Sequence, residues 1–259
     1  MAANKTIILV TGANGGIGYE TVAALAQTSA DFHVYLSARS EEKGKAALSE
    51  IRAAYGNSLK GTISVVRLDV NDQETITTAK EQIEKEFGRL DVLINNAGMS
   101  AYQEPDEVKA TRQTFEVNVL GQMMVTNTLE PLLKRSAKPY VIYVSSGQGS
   151  ITLRLDPNGE FTKLRGDSYR ISKAALNMLA ACHRHNFADW ESPARVLAFN
   201  PSFCVTNLTG EEARASRIQL GARDAKQPAH SLVDVVLGKR DDDIAKNGMI
   251  DTDGGLLPW

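Results

Sequence analysis

A glycine-rich turn that follows an apolar run most strongly limits the folds open to this 259-residue chain. Four apolar residues at 7–10 lead into Thr-Gly-Ala-Asn-Gly-Gly-Ile-Gly at 11–18. A buried strand that enters a helix through glycines is typical of the first unit of a dinucleotide-binding sheet. Gly12, Gly16 and Gly18 permit a tight turn and let the backbone approach a pyrophosphate, which the start of a helix attracts.

Short apolar runs alternate with longer helix-patterned stretches along the rest of the chain. Strands are predicted at 6–11, 32–38, 62–69, 91–95, 140–145, 195–200 and 248–251. Helices are predicted from 16 to about 29 and at 41–55, 74–87, 111–134 and 168–190. The near-continuous apolar strands favour a parallel sheet covered on both faces, and the alternation favours right-handed crossovers. We therefore predict an α/β fold: a single-domain, Rossmann-type, doubly wound parallel sheet over residues 1–259, flanked by helices on both faces.

Composition argues against several classes of partner. The formal net charge is -2, so no basic excess points to nucleic acid. No apolar run approaches the roughly 18 residues of a membrane span, and the residues before the first strand are too few for a signal peptide. Cys182 and Cys204 form no CxxC pair, which favours reduced thiols in the cytoplasm. His183 and His185 point to different helix faces, so no metal site is expected.

A second pattern lies in the middle of the chain, where a serine pair at 145–146 is followed by Tyr169 and Lys173. Hydride reduction of a ketone builds negative charge on oxygen, which then needs a proton and hydrogen-bond donors. We predict that Tyr169 is the general acid/base. Lys173 lies one helical turn later on the same face, and its ammonium would lower the tyrosine pKa from its ordinary value of about 10. A serine would donate to the carbonyl oxygen.

With these two patterns in this order, the chain resembles the short-chain dehydrogenase/reductase family. The TGxxxGIG form of the glycine turn, the Asn-Asn-Ala-Gly run at 95–98 and the Asp-Gly-Gly run at 253–255 match that family's landmarks. The match covers nearly the whole chain. The resemblance implies an oxidoreductase whose catalytic residues are Asn118, Ser146, Tyr169 and Lys173.

The resemblance also assigns roles within that centre. Lys173 would hydrogen-bond the nicotinamide ribose, and Asn118 would hold a water that joins Lys173 to solvent. The family places its serine three residues before a glycine, which fits Ser146 and Gly149. Ser145 would then be a structural hydroxyl at the end of the strand.

The end of the second strand indicates which dinucleotide binds. A carboxylate there would bind the free 2′-hydroxyl of NAD, but Ala38 stands at that place and Arg39 follows it. A guanidinium binds a phosphate bidentately, so we predict NADP(H); a solvated Arg39 with mixed cofactor use is the alternative. The expected cofactor-binding residues are Gly12, Asn14, Gly16, Ile17, Gly18, Arg39, Asp69, Asn95, Lys173 and Thr206.

Substrate specificity is expected in two segments. A substrate loop at about 147–167 is longer than in many relatives and would form one wall of the pocket, unless it is a surface excursion unrelated to substrate. A lid at about 207–227 has small and charged residues, which favour mobility over core. Just before the lid, Phe203 and Cys204 would line the pocket. Ser202 replaces the family's usual glycine, so the backbone there could differ.

These observations predict an NADP(H)-dependent carbonyl reductase or ketoreductase that turns a ketone or aldehyde into an alcohol, with Tyr169 as general acid/base. The alternatives are a non-redox enzyme on the same scaffold, such as a cyclase or dehydratase, and a catalytically silent NADP-sensing or interaction protein. The expected partner is a small-molecule carbonyl or alcohol substrate, with neither nucleic acid nor membrane. The resemblance further implies a homodimer or homotetramer, and we expect it in the cytoplasm.

Overall fold

A largely parallel sheet forms the centre of the molecule. The computed structural model describes residues 5–159, 166–210, 212 and 214–259. Over these residues one sheet has eight strands in the order β3-β2-β1-β4-β5-β6-β7-β8, and only the β7–β8 pair is antiparallel. The strands are β1 (Thr6–Val10), β2 (Phe32–Ala38), β3 (Thr62–Arg67), β4 (Val92–Asn95), β5 (Tyr140–Val144), β6 (Arg195–Asn200), β7 (Met249–Asp251) and β8 (Leu256–Leu257).

Helices cover both faces of this sheet. They are α1 (Gly16–Thr28), α2 (Glu41–Tyr55), α3 (Gln73–Phe87), α4 (Glu107–Phe115), α5 (Gln122–Leu133), α6 (Ile151–Leu155), α7 (Asp167–Asn186), α8 (Arg214–Gln219), α9 (Lys226–Val236) and α10 (Asp241–Ile244). Alternate residues of a strand point to opposite faces of the sheet and pack into two separate cores. Ile8 packs into the core that α1, α2 and α9 cover, and Ile7 packs into the core that α3, α5 and α7 cover. The predicted doubly wound α/β fold is confirmed. Strand order reverses between β1 and β4, so a crevice opens at their carboxyl ends.

The predicted helix at 111–134 differs from the structure in its start and its continuity. It begins at Glu107 because the side chain of Asp106 accepts a hydrogen bond from the Lys109 N–H and caps the first turn. A π-helical stretch at Glu116–Gly121 then separates α4 from α5. Single π turns inside helices are frequent at functional sites, and this one contains Asn118.

The carboxyl-terminal part holds elements that the sequence reasoning missed. Helix α9 buries Leu232 and Val235 completely against the core that α1 covers. Strand β8 turns back along β7, and α7 ends at Asn186 rather than at 190. The predicted substrate loop includes α6, but its residues 160–165 lie outside the described ones. The predicted lid includes α8, and its residues 211 and 213 lie outside them too.

The described ranges contain neither a membrane-spanning helix nor a cluster of metal-binding side chains. Among these residues, none of the helices combines the length and the apolar character that crossing a membrane would require. Within the same ranges, no group of three or more His, Cys, Asp or Glu side chains is arranged to hold a metal ion.

Candidate active site

The glycine turn after β1 packs tightly against the loop after β4. A Cβ atom at Gly12 would lie 2.9 Å from the Ala97 Cα, and one at Gly18 would lie 2.5 Å from the Asn96 Nδ2. Gly12 also has a φ of 61°, in the left-handed region that favours glycine. The turn therefore has room only for glycine on its inner side, and its backbone is held in place.

The outer side of the same turn is open and fits an anionic group. A Cβ at Gly15 would meet no atom within 4 Å. No side chain caps the first turn of α1, so its N–H groups are free of side-chain acceptors. Thr206 lies beside this turn, with its Cγ2 3.2 Å from the position of a Cβ at Gly16. These residues match what a pyrophosphate requires: free N–H groups, the positive end of a helix and no side chain in the way.

Hydrogen bonds from Thr11 and Asn96 hold the two loops together. The Thr11 Oγ1 accepts from the Asn96 N–H at 2.9 Å and the Ala97 N–H at 3.0 Å. The Asn96 Nδ2 donates to the Thr11 carbonyl at 2.8 Å. Asn95, the expected cofactor residue, is fully buried and donates to the Thr126 Oγ1 at 2.9 Å. Its side chain lies beneath the crevice, and Asn96 is the one that fixes the glycine turn.

The remaining predicted cofactor residues come after the carboxyl ends of β1, β2 and β3. Asn14 is exposed, and Ile17 is half-buried against the core. The Asp69 carboxylate accepts from the Asn71 N–H at 3.0 Å. Arg39 is exposed and has no hydrogen-bond or ion-pair partner in the part of the chain that the structure describes.

A second arginine, which sequence reasoning missed, lies next to the end of β2. It is Arg67, the last residue of β3, which pairs with Ala38 and so lies close to the position of Arg39 in the chain. Ser40 caps α2 and donates its hydroxyl to Glu42 at 2.6 Å. That hydrogen bond, more than the positive charge of Arg67, holds the pKa of Glu42 below its usual range. No spacing rule in one sequence reveals which residue of β3 lies beside Ala38.

Ser146 and Tyr169 meet at the open end of the crevice. A hydrogen bond from Ser146 and the charge of Arg217 both favour the Tyr169 phenolate, but burial outweighs them and raises the pKa of Tyr169 to about 12. The Ser146 hydroxyl also accepts from the Gln148 N–H at 3.2 Å. Ser145, by contrast, is buried and donates to the Asn177 Oδ1 at 2.5 Å. The serine that faces Tyr169 is thus Ser146.

Lys173 lies behind the Tyr169 ring, with its Nζ 5.6 Å from the ring centroid. The Nζ donates to the Val144 carbonyl at 2.9 Å, and the side chain is 3 % exposed. Burial lowers the pKa of Lys173 to about 7. We expected its ammonium to lower the pKa of Tyr169; in the structure the Tyr169 pKa is raised, because Lys173 is directed at Val144 and desolvation of the phenol prevails.

Asn118 connects the π-helical turn to the loop after β4 and to α7. Its Oδ1 accepts from the Met99 N–H at 2.8 Å, and its Nδ2 donates to the Met99 carbonyl at 2.9 Å and the Ser172 Oγ at 3.0 Å. A Cβ at Gly98 would lie 3.3 Å from the Asn118 Oδ1 and 3.7 Å from the Lys173 Nζ. Asn118 and Lys173 therefore border the same glycine, although the amide of Asn118 is already engaged by protein groups.

Comparisons with known proteins identify the family of this chain. The sequence model described as short chain dehydrogenase matches residues 6–217. The short-chain dehydrogenase anuI of Penicillium roqueforti is 33% identical over 238 residues, which cover 90% of this chain and 88% of that protein. The short-chain dehydrogenase/reductase tropE of Talaromyces stipitatus is 30% identical over 276 residues, covering 99% of both.

Solved structures share the fold. The NADPH-bound carbonyl reductase from chicken fatty liver has a TM-score of 0.77 at 24% identity, covering 99% of this chain and 100% of that one. A short-chain dehydrogenase from Streptomyces avermitilis has a TM-score of 0.65 at 28% identity, covering 90% of this chain and 84% of that one.

Proposed function

Because this chain belongs to the short-chain dehydrogenase family of oxidoreductases, which use nicotinamide cofactors, we propose that it reduces a ketone or aldehyde with NADPH and that Tyr169 supplies the proton. The observation that carries this proposal is that the Ser146 hydroxyl lies close enough to Tyr169 to lower its pKa, while the Lys173 Nζ lies 5.6 Å from the centre of the same ring. These three groups lie in the crevice that the glycine turn borders. Neither a binding protein nor a scaffold needs a half-buried phenol, a serine hydroxyl and a buried ammonium gathered in this way.

The charge that develops on the substrate oxygen explains the roles of the side chains. When bound, NADPH would supply a hydride, with its two electrons, to the carbonyl carbon. The Ser146 hydroxyl donates to the oxygen as it gains negative charge. Tyr169 gives its proton to that oxygen, and the product is the alcohol. With a pKa of about 12, Tyr169 holds its proton at neutral pH, as a donor must.

The phenolate left behind is stabilised by groups already in place. The positive charge of Arg217 favours the ionised form of Tyr169, and the Ser146 hydroxyl can donate to the phenolate once the substrate oxygen has taken its proton. Lys173, with a pKa of about 7, can exchange a proton near neutral pH. The same high pKa leaves little phenolate at neutral pH, and the phenolate is the form that would accept a proton in the oxidative direction.

A panel of aldehydes and ketones tests the reductase assignment. Following NADPH absorbance, we expect the Tyr169→Phe variant to lose turnover by about 10²- to 10⁴-fold, because the proton donor is gone. Its dissociation constant for NADPH, measured by fluorescence, should stay within twofold of the wild type. Tyr55→Phe, which removes the hydroxyl of a half-buried tyrosine at the end of α2, is the matched control. NADPH binding by the wild type without turnover of any carbonyl would instead support a sensor or a non-redox enzyme.

We also propose NADP(H) rather than NAD(H). Ala38 offers no carboxylate to a ribose hydroxyl, and Arg39 is exposed and unpaired among the described residues. Arg67 adds positive charge beside it. The Glu42 carboxylate works against a phosphate at this place in two ways. It is negatively charged, and it already accepts the hydrogen bond that the Ser40 hydroxyl could give to a phosphate.

Substitution of Arg39 tests this preference. Arg39→Leu should raise the NADPH dissociation constant by about 10- to 100-fold, the range for a charged hydrogen-bonding group, and leave that of NADH unchanged. Arg52→Leu, an exposed arginine at the other end of α2, removes the same charge as a control. Equal losses for both cofactors would refute a contact with the 2′-phosphate.

Oligomeric state and location form the last part of the proposal. Apolar side chains are exposed on neighbouring helices, with Val108 on α4, and Ile171 and Met178 on α7. This surface suits the homodimer or homotetramer that we propose. Cys182 and Cys204 are free thiols, which fits a reducing compartment, and we propose the cytoplasm.

A further inference from the structure

Helix α8 carries Arg217, whose positive charge is near enough to Tyr169 to lower the pKa of that tyrosine. The Arg217 Nε donates to the Cys204 carbonyl at 2.9 Å, and its guanidinium carbon lies 4.7 Å from the centroid of the Phe203 ring. Both contacts lie in the segment that follows β6 into the crevice. The guanidinium is therefore fixed by a hydrogen bond and a ring contact before any substrate arrives.

Within the residues that the structure describes, this cation has no counter-ion. Arg217 is half-buried, and among the described residues it forms no ion pair with a carboxylate. The ionisable groups that favour its charge are Tyr169 and Cys204, while burial lowers its pKa. Arg223, also near the carboxyl-terminal strands, shows the ordinary alternative, because its guanidinium pairs with Asp253 at 2.5 Å. A partly buried cation without an anion is costly unless a ligand provides one.

The position of Arg217 favours an anion on the substrate over a phosphate of the dinucleotide. Thr206 is the residue of this segment that borders the first turn of α1, where a pyrophosphate would bind. Arg217 lies instead with Phe203 and Tyr169, where the carbonyl would be reduced. With its Nε engaged by Cys204, the guanidinium still has the N–H groups of its two terminal nitrogens, and these suit a carboxylate or a phenolate.

We propose that Arg217 binds an anionic oxygen group, a carboxylate or an ionised phenol, that the substrate carries near the carbonyl protonated by Tyr169. The substrates of this site are then carbonyl compounds with an acidic substituent. This inference rests on the proposed reductase function, but it concerns binding and can be measured without turnover.

The test compares 3-formylbenzoate with methyl 3-formylbenzoate, which differ in charge but carry the same aldehyde. Each is titrated by calorimetry into the enzyme, alone and saturated with NADP⁺, which has no hydride to give. The wild type should bind the carboxylate about 10- to 100-fold more tightly than the ester. Arg217→Met should remove this preference, and Arg217→Lys should keep part of it. Arg214→Met, an exposed arginine on the same helix, should keep all of it.

Several outcomes would overturn the proposal. These are equal binding of the two probes by the wild type, no measurable binding of the carboxylate, or a preference that survives in Arg217→Met. A weaker NADP⁺ complex in Arg217→Met, with the preference unchanged, would assign the cation to the cofactor. Thermal melting of the Met and Lys variants separates a lost contact from a misfolded lid. Failure of the wild type to reduce 3-formylbenzoate with NADPH would count against the reductase function. The preference for the carboxylate over the ester could still be measured by calorimetry.

Discussion

Two cations act on Tyr169, one deeply buried and one half-buried, and they differ in how they are held. Lys173, on the deep side, is buried and donates to the Val144 carbonyl, and its pKa falls to about 7. Arg217, on the outer side, is half-buried on α8 and keeps its charge throughout the ordinary pH range, because a guanidinium titrates far above it. The deep cation can therefore lose its charge with pH, whereas the outer one cannot.

The surroundings of the two cations differ as well. On the deep side, hydrogen bonds of Asn118 join the loop after β4, the π-helical turn and α7. On the outer side, Arg217 depends on Cys204 and Phe203, which follow a strained residue, Ser202, with a φ of 62°. The comparison teaches that the deep side fixes the geometry of proton transfer, and the outer side can vary with the substrate.

Substituting Lys173 and Arg217 one at a time should give the largest difference between the two sides, because we assign proton transfer to the first and substrate binding to the second. With a neutral carbonyl substrate such as methyl 3-formylbenzoate, we expect Lys173→Met to lower kcat by about 10²- to 10⁴-fold, because proton supply to Tyr169 is lost. Arg217→Met should change the same kcat by less than about tenfold. Steady-state rates at saturating NADPH measure both. If Arg217→Met were as damaging as Lys173→Met, the outer cation would be the main electrostatic partner of the tyrosine.

The depressed pKa of Lys173 predicts how stability changes with pH. The unfolded lysine titrates at about 10.4 and the folded one at about 7. Between these values the unfolded chain binds more protons, so the contribution of Lys173 to stability rises with pH by about 1.4 kcal/mol per unit. Below pH 7 the full cost of burying the charged ammonium applies.

Urea unfolding of the wild type and of Lys173→Met at pH 6.5, 7.5 and 8.5 gives a curve of unfolding free energy against pH for each protein. The difference between the two curves measures the contribution of Lys173. The wild type should gain stability over Lys173→Met as pH rises. Arg217→Met is the control, and its curve should run parallel to that of the wild type, since arginine does not titrate in this range. Parallel curves for Lys173→Met would show that Lys173 titrates normally in the folded protein.

The deep side was largely predictable from sequence, and the outer side was not. Ser146, Tyr169 and Lys173 follow short spacing rules, because a strand end and one helical turn bring them together. Asn96 has no such rule, and only the packing of two loops reveals that it, rather than Asn95, holds the glycine turn. Arg217 is 48 positions from Tyr169 in the sequence, and nothing local in the chain indicates that they meet.

Secondary structure shows the same division. The strands from 6 to 200 could be predicted because each is an apolar run between turns, and the sheet order then follows from known crossovers. Helix α9 could have been found, since Ala229, Leu232, Val233 and Val236 have helical spacing. The π-helical turn at Asn118 could not, because it depends on contacts with Met99 and Ser172 that are distant in sequence.

The smallest expected effect concerns the strained residue that begins the outer side. A φ of 62° places Ser202 in the left-handed region, which costs a non-glycine residue about 1 kcal/mol or more. Glycine would remove that strain, but it gives the unfolded chain more freedom, which offsets about 0.4–1 kcal/mol of the gain. Ser202→Gly should therefore raise the free energy of unfolding by less than about 1 kcal/mol, measured by urea unfolding. Ser202→Ala keeps a Cβ in the same conformation and should bring no gain; if it stabilised the protein as much as glycine did, the backbone at Ser202 would not be a source of strain.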